Sequence, residues 1–456
     1  MMKKWHLLWG SFFIIMPLFA GGPYTLFPIE NYDQNIDHWI SPSEPNYDHP
    51  LLDAQQQKWR MQQLYQHQFS PWQASYIEAY LQPGVLTSIE SGTVKANAHS
   101  YNENMRPYPQ SWSSRMLTQI NLSQFQGPLY NDPHHRMIAV TNLMARTLPT
   151  FEPHFSNPDH VGQGYPFDNV QISEIWAGTP LYLVGVSKDQ AFGLVITPSF
   201  IGWVDRKGLA FASPQFIQSW QHATQKKLLA ITQNNSPILN LKQQFLLQGY
   251  IGSSFPCVQK KAQQWIILVP TASTHQQAQI SLAQVSAQHA AVMPLSATPR
   301  HFAQMITALQ GIPYGWGNLY FYDDCSSLLK NLYLPFGIWL PRHSSNQTAM
   351  GETTDLTPLS PEERLAYLQK NAAPFLSLVS LGSHVFMVIG NLENPQHPGQ
   401  QVLLTFQTLW GLSPPDNSSR AIIGESVLLP LLLSYPENPN LRSLLNAPIF
   451  QLSNLQ

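Results

Sequence analysis

The sequence predicts an α+β chain: a partly helical N-terminal region, two small β-barrels, and a larger C-terminal block of helix and strand. Three observations point there. Residues 21–165 are rich in Pro, Asn, Gln, Tyr and His, with one clear helical stretch. Between about 170 and 290, short β-branched and aromatic runs recur between turn residues. From about 296 onward, helical and strand spacing alternate.

The 456 residues are too many for one ordinary core, so two to four domains are expected. With 43% hydrophobic and 12% aromatic residues the chain is globular, and its 38 prolines favour extended connections over long helices. The formal net charge is −2, with only 11% charged residues. That excludes the basic footprint of a nucleic-acid binder. It also gives no electrostatic reason to dock on anionic lipid.

The first residues read as an export signal spanning 1–20. Lys3 and Lys4 supply charge, Trp5 to Phe19 form a mostly apolar run, and Ala20-Gly21-Gly22 offers small residues for cleavage. The run is short of the ~20 apolar residues of a membrane span. Leu18 is large for the −3 position, so an uncleaved anchor is the alternative. No cysteine follows, which excludes lipid attachment at a new N-terminal Cys. The expected location is periplasmic or cell-envelope, with no membrane contact beyond the signal.

In the accessory region, 21–165, Leu51, Leu52, Trp59, Leu64 and Phe69 mark a helix that Pro71 stops. The first barrel is assigned to 166–225. Its clearest strands are Leu181 to Val186, Phe192 to Ile196 and Ile201 to Val204, broken by turns such as Ser187-Lys188-Asp189. The second, 226–295, is marked by Phe245-Leu246-Leu247 and by Trp265 to Val269. The block 296–456 opens with a helix near Pro299 to Leu309.

That last block carries the chemistry. Asp323-Asp324-Cys325-Ser326-Ser327 is followed by apolar residues at Leu328, Leu329, Leu332 and Tyr333, which is helical spacing. Cys325 is therefore expected at a helix N-terminus, capped by the preceding carboxylate. Free backbone N–H groups there favour the thiolate. The other cysteine, Cys257, reads as a small buried apolar residue.

A nucleophilic thiol needs a base. Leu376 to Leu381 reads as a strand, Gly382-Ser383 as a turn, and His384 to Ile389 as a buried second strand with His384 at its start. Gln401 to Gln407 is the next strand. If Gly390 pairs with Gln401, Gln407 lies directly opposite His384 and its amide can orient the imidazole. That is the task of the third group in Cys-His-Asn proteases.

Pro313-Tyr314-Gly315-Trp316-Gly317, Asp324-Cys325-Ser326, Phe336 to Ser344 and Gly382-Ser383-His384-Val385 together resemble the NlpC family of cell-wall cysteine peptidases. The likeness spans most of residues 300–412. Gly178 to Val204 is similar to the bacterial SH3-like domains that precede such catalytic domains. The stretch from Asn35 to Thr150 resembles the N-terminal part of one multidomain branch. The resemblance implies a papain-like catalytic fold that hydrolyses the γ-D-glutamyl–L-diamino acid bond of peptidoglycan stem peptides. It assigns Cys325 as nucleophile, His384 as base, Gln407 as third polar residue and Tyr314 as oxyanion donor. It implies Asp324, Ser326 and Ser344 as substrate-holding residues, with Asp324 suited to a free L-alanine amine.

The pattern departs from the family at three places. Asn318 stands where a second Gly commonly follows, Ser327 where Gly often follows Asp-Cys-Ser, and Gln407 where His is common. Two other functions fit the same fold: a peptidoglycan-binding protein without turnover, and an acyltransferase. No cofactor or metal is expected. The 16 histidines contain no His-Glu-x-x-His, there is no paired-Cys ligand set, and no Gly-rich loop is placed to cradle phosphate.

Overall fold

A computed structural model describes residues 23–456 apart from positions 83 and 128; the expected export signal lies outside the described residues. Among these, no helix is long and apolar enough to cross a membrane. The strands assemble into three seven-stranded sheets.

The first sheet holds the three strands read from the sequence, now Pro180–Val186, Phe192–Ile196 and Ile201–Asp205, with Gln171–Ile175 and Leu209–Phe211 besides, together with Arg136–Ala139 and Leu143–Arg146. Those last two fall in the segment assigned to the accessory region, so the sheet begins some thirty residues before the expected boundary at 166. They were missed because each is only four residues long, too short for alternation to show. The same segment then closes on a helix, Pro214–Lys226, with Ser213 as cap and Pro at its first position. The second sheet runs from Leu228–Ile231 to Ala290–Val292 and carries its own core around Ile238, Phe255, Ile267 and Val285.

The accessory region is more helical than its composition implies. Asp53 and Gln56 form a reciprocal capping box at the start of Ala54–Gln68, where the sequence placed a helix. Two further helices, Val85–Ala96 and Ser111–Ile120, were not read, because Ser, Thr and Gly dilute their apolar stripe. They pack Leu86, Trp112 and Ile120 against Trp203 and Leu194 of the first sheet. The Trp203 indole donates to Glu90 Oε2 at 2.9 Å, and burial pushes that carboxyl up to about 7.

His154 seals the same seam. Its ring is fully buried, stacked 4.3 Å from Tyr108 and tilted 4.4 Å from Trp112, and neither nitrogen has a partner among the described residues. Burial, helped by the charge of Arg146, brings its pKa down to about 4. The folded state therefore binds the proton less readily than the unfolded chain. The sign follows from linkage: the stability His154 contributes is full above about pH 6.5 and is lost as pH falls toward about 4. The loss is at most about 3 kcal/mol. Urea denaturation at pH 7.5 and pH 5 should show a smaller acid loss in His154→Phe than in the parent; equal losses would mean another group governs the acid limb.

The third sheet is the one that positions the chemistry. Its order places Gln401–Leu412 and Val385–Glu393 at the centre, with Ser377–Ser380, Gln451–Asn454 and Glu352–Asp355 beyond. At the other edge Arg420–Pro430 pairs in parallel with Tyr24–Leu26, so the first described strand completes the last sheet. Val385 to Ile389 are almost wholly buried on both faces. The helix Cys325–Tyr333 packs Leu328, Leu329, Leu332 and Tyr333 into the same core. Each such burial is worth about 2–3 kcal/mol, enough to fix the helix start against the sheet.

Candidate active site

Cys325 is the first residue of its helix, as the spacing predicts, and Asp324 is the cap. The Asp324 carboxylate accepts from the Ser327 N–H at 3.1 Å, while Ser327 Oγ accepts from the Asp324 N–H at 2.8 Å. This reciprocal box explains one departure: a Gly at 327 would lack the hydroxyl that closes it. Cys325 is partly exposed, and Cys257 is buried; both thiols are free.

The backbone N–H groups of Val385 and Ser326 draw the pKa of the Cys325 thiol down. Val385 is the neighbour of His384, and the strand that it opens packs against the helix that Cys325 begins. The turn between the strands is tight: the Leu381 N–H donates to the His384 carbonyl at 2.8 Å, and Gly382 takes φ 84°. A side chain at 382 would be strained there.

His384 Nε2 lies 2.7 Å from Gln407 Oε1. The direction of that bond follows from the next two. The Thr405 hydroxyl donates to the Leu429 carbonyl at 2.6 Å and so offers its lone pair to Gln407 Nε2 at 2.9 Å. The amide oxygen must then face the imidazole, and His384 Nε2 carries the proton. Nδ1 is left as the acceptor. The contact forms although the expected register does not. Gly390 pairs with Leu404, not Gln401, and a bulge lies between Val388 and Gly390. Gln407 is thus a diagonal neighbour of His384, and the long amide side chain spans the gap.

Burial, then the charge of Asp324, pushes the Cys325 thiol up to about 12, against the pull of the two N–H groups and Arg342. Burial likewise lowers the His384 pKa, with the Gln407 bond and Asp324 opposing it. At rest the thiol and the imidazole are therefore both neutral. The thiolate expected from the helix N-terminus alone is outweighed by desolvation.

Asp324 has no oxygen to spare. Oδ1 accepts from Ser327, from the Ser326 hydroxyl at 3.2 Å and from Arg342 Nη1 at 3.1 Å; Oδ2 accepts from the Gly317 N–H at 3.0 Å and Arg342 Nη2 at 2.5 Å. Burial raises this carboxyl, but Arg342 outweighs it and holds the pKa below the usual value. Ser326 is spent likewise, accepting from Arg342 Nη1 at 2.7 Å. These two residues thus have structural work where substrate contact was expected. Ser344 opens the short helix Ser344–Gln347 and is partly exposed. Tyr314 is held by its N–H to the Gly424 carbonyl at 2.8 Å. Burial first, then the charges of Asp324 and Cys325, raises its pKa, so its hydroxyl stays a donor.

Arg342 is the residue that sequence reading missed. It lies inside a quoted motif, and a buried carboxylate before the nucleophile calls for a cation. Its Nε donates to Ser173 Oγ of the first sheet at 2.8 Å, Ser173 donates to Glu174 Oε2 at 2.8 Å, and Lys330 Nζ meets Glu174 Oε1 at 2.5 Å. The first sheet also fixes the loop before the nucleophile. Gln171 Nε2 donates to the Gly317 carbonyl at 2.8 Å, and Arg146 holds Gln171 Oε1 at 3.0 Å.

That loop explains the remaining departure in it. Gly317, Asn318, Tyr320 and Phe321 all have φ near +60°. Asn tolerates this region best among non-glycine residues, and Asn318 Nδ2 also donates to Asp323 Oδ1 at 3.0 Å. Asp323 takes a second bond from Asn331 at 2.8 Å; burial and then Glu174 push its pKa up to about 7.

Residues 153–205 match the SH3 domain (SH3b1 type) family. The fold as a whole is similar to an NlpC/P60 endopeptidase from Photobacterium damselae subsp. piscicida, with 27% identity and a TM-score of 0.80. The match covers 94% of this chain and 98% of that one. An NlpC/P60 family protein from Bacillus cereus ATCC 10987 aligns with 16% identity and a TM-score of 0.44, over 68% of this chain and 98% of the other. The sequence matches no curated protein.

Proposed function

We propose that this chain, an NlpC-family protein with an SH3-like domain, is a peptidoglycan endopeptidase of the cysteine class. It cleaves the γ-D-glutamyl–L-diamino acid bond of stem peptides. The observation that carries the reading is the hydrogen-bonded series His384 to Gln407 to Thr405, at the start of a strand packed against the helix that Cys325 begins. The series fixes which imidazole nitrogen is basic, and His384 directly precedes Val385, whose backbone N–H lowers the Cys325 pKa.

In this mechanism, His384 Nδ1 takes the Cys325 proton as the sulfur attacks the γ-glutamyl carbonyl. Starting from a neutral pair, transfer and attack are coupled, which is general-base assistance to a neutral thiol. Charge then develops on the carbonyl oxygen. The helix-start N–H of Cys325 and the Tyr314 hydroxyl stabilise it. The imidazolium, its charge eased by the Gln407 oxygen, protonates the departing amine. Water then attacks the thioester, giving its proton to His384 and restoring the thiol.

Gln407 cannot carry charge, so it orients the ring without stabilising the ion pair as a charged partner would. The identity of the bond is tested by mass spectrometry of products from a defined stem peptide. Two fragments are expected, one ending in a free γ-D-glutamyl carboxyl and one beginning with the diamino acid's free amine. Cleavage at any other bond would overturn the specificity, and an added amine appearing in the product would favour acyl transfer.

A further inference from the structure

We infer that the groove between Tyr24, Tyr165 and Trp410 is a saccharide subsite, so that the preferred substrate is a stem peptide still joined to its sugar. The inference rests on the hydrolase reading and extends it to the substrate's far end. Three observations lead there.

The acids around the nucleophile helix are already partnered. Asp324 receives five donors, Asp323 is bonded to Asn318 and Asn331, and Glu174 holds Lys330 and Ser173. A carboxylate offers about four lone-pair sites, so none of Asp324's is left for a free N-terminal ammonium. A substrate whose amine is already acylated makes no such demand.

A series of aromatic rings leads out of the site instead. Tyr314 lies 6.2 Å from Phe167, Phe167 lies 4.9 Å from Trp410, and Trp410 lies 6.0 Å from Tyr24, all by ring centroids. Trp410 therefore stands within roughly 11 Å of the oxyanion donor. Two extended residues reach ~7 Å, and the longer γ-linkage plus the ether that joins peptide to sugar supply the remainder. The spacing suits a sugar attached two residues before the cleaved bond.

The groove itself has the chemistry of a sugar site. It encloses about 440 Å³, with Tyr101 and Phe155 among its lining and Asn102, Glu103 and Gln163 as its polar groups. Among the described residues that line it the one charged side chain is Glu103, and the Arg420 guanidinium lies against Gly162 beside it. A pyranose shows an apolar C–H face to aromatic rings and a rim of hydroxyl and acetamido groups to amides and carboxylates. Tyr165 is 67% exposed and Tyr24 44%, so their faces are open to a ligand. The frame is set beforehand: Tyr101 and Phe155 exchange two backbone hydrogen bonds of 2.9 Å, and the Tyr24 hydroxyl accepts from the Gly162 N–H at 3.2 Å.

The test compares three substrates on the full chain: a disaccharide-linked stem peptide, the same peptide with an N-acetyl cap, and the peptide with a free amine. In the parent, kcat/KM for the sugar-linked substrate is expected to exceed that for the capped one about tenfold, with the free amine lowest. That ratio should fall toward one in Tyr165→Ala and in Trp410→Ala. A parent ratio near one, a preference for the free amine, or an unchanged ratio in both variants would overturn the subsite. If the parent cleaves none of them, the hydrolase reading fails, and binding decides the subsite alone. Chitotriose should then perturb Trp fluorescence of Cys325→Ala protein at millimolar concentration and lose that effect when Tyr165→Ala is added; no binding would refute it.

Discussion

Cys325→Ala should reduce stem-peptide cleavage to the background rate, a fall of at least about 10⁴-fold in kcat, while thermal unfolding stays near that of the parent. The size follows from covalent catalysis. Without the thiol no acyl-enzyme forms, and what remains is binding and the oxyanion donors. The fold is spared because Cys325 is the first residue of its helix and partly exposed, and Ala is the best helix former. Capping by Asp324 and Ser327 does not involve the sulfur. Measured on a defined stem peptide, turnover within tenfold of the parent would remove Cys325 as nucleophile. Loss of turnover together with a large drop in melting temperature would leave the chemistry unassigned, and Cys325→Ser would then separate the two, since it keeps the side chain's shape.

How legible this site was depended on which forces fix each part. The Cys325 helix could be read because its apolar residues are local and periodic and because its cap precedes it. The His384 strand could be read because five consecutive apolar residues follow a Gly-Ser turn. The register could not, since the Val388–Gly390 bulge leaves no mark on hydrophobic alternation. The Gln407 contact to His384 forms even so, because a long amide reaches diagonally as well as directly across. The early start of the first sheet failed for a different reason: Arg136–Ala139 and Leu143–Arg146 are held by partners distant in sequence, and four residues carry no period. The same holds for Arg342. Its partners Asp324, Ser326 and Ser173 are 16 to 169 positions away, and nothing local declares which of them it meets.

Arg342→Met should therefore be the most destabilising single change near the site, costing about 3–5 kcal/mol, because it leaves Asp324 as a buried carboxylate without its cation. Burial alone would then dominate the Asp324 pKa, and the group would tend toward its neutral form. A protonated Asp324 accepts less well from the Ser327 and Gly317 N–H groups, so the helix start and the loop carrying Gly317 should loosen together. Arg342→Lys is expected to recover only part of the loss, since three nitrogens of the guanidinium are engaged at once, on Asp324, Ser326 and Ser173. Pairing Arg342→Met with Asp324→Asn removes the stranded charge. In a urea-denaturation double-mutant cycle, the two losses should be clearly less than additive, with a coupling of at least about 1.5 kcal/mol. Additive losses would mean that each side chain is held by its other partners and that the ion pair does not fix the nucleophile helix. Activity separates a second role. If the double variant folds well yet cleaves poorly, the first sheet acts through Ser173 and Arg342 to set the position of Cys325, and the SH3-like domain is part of the active site's frame.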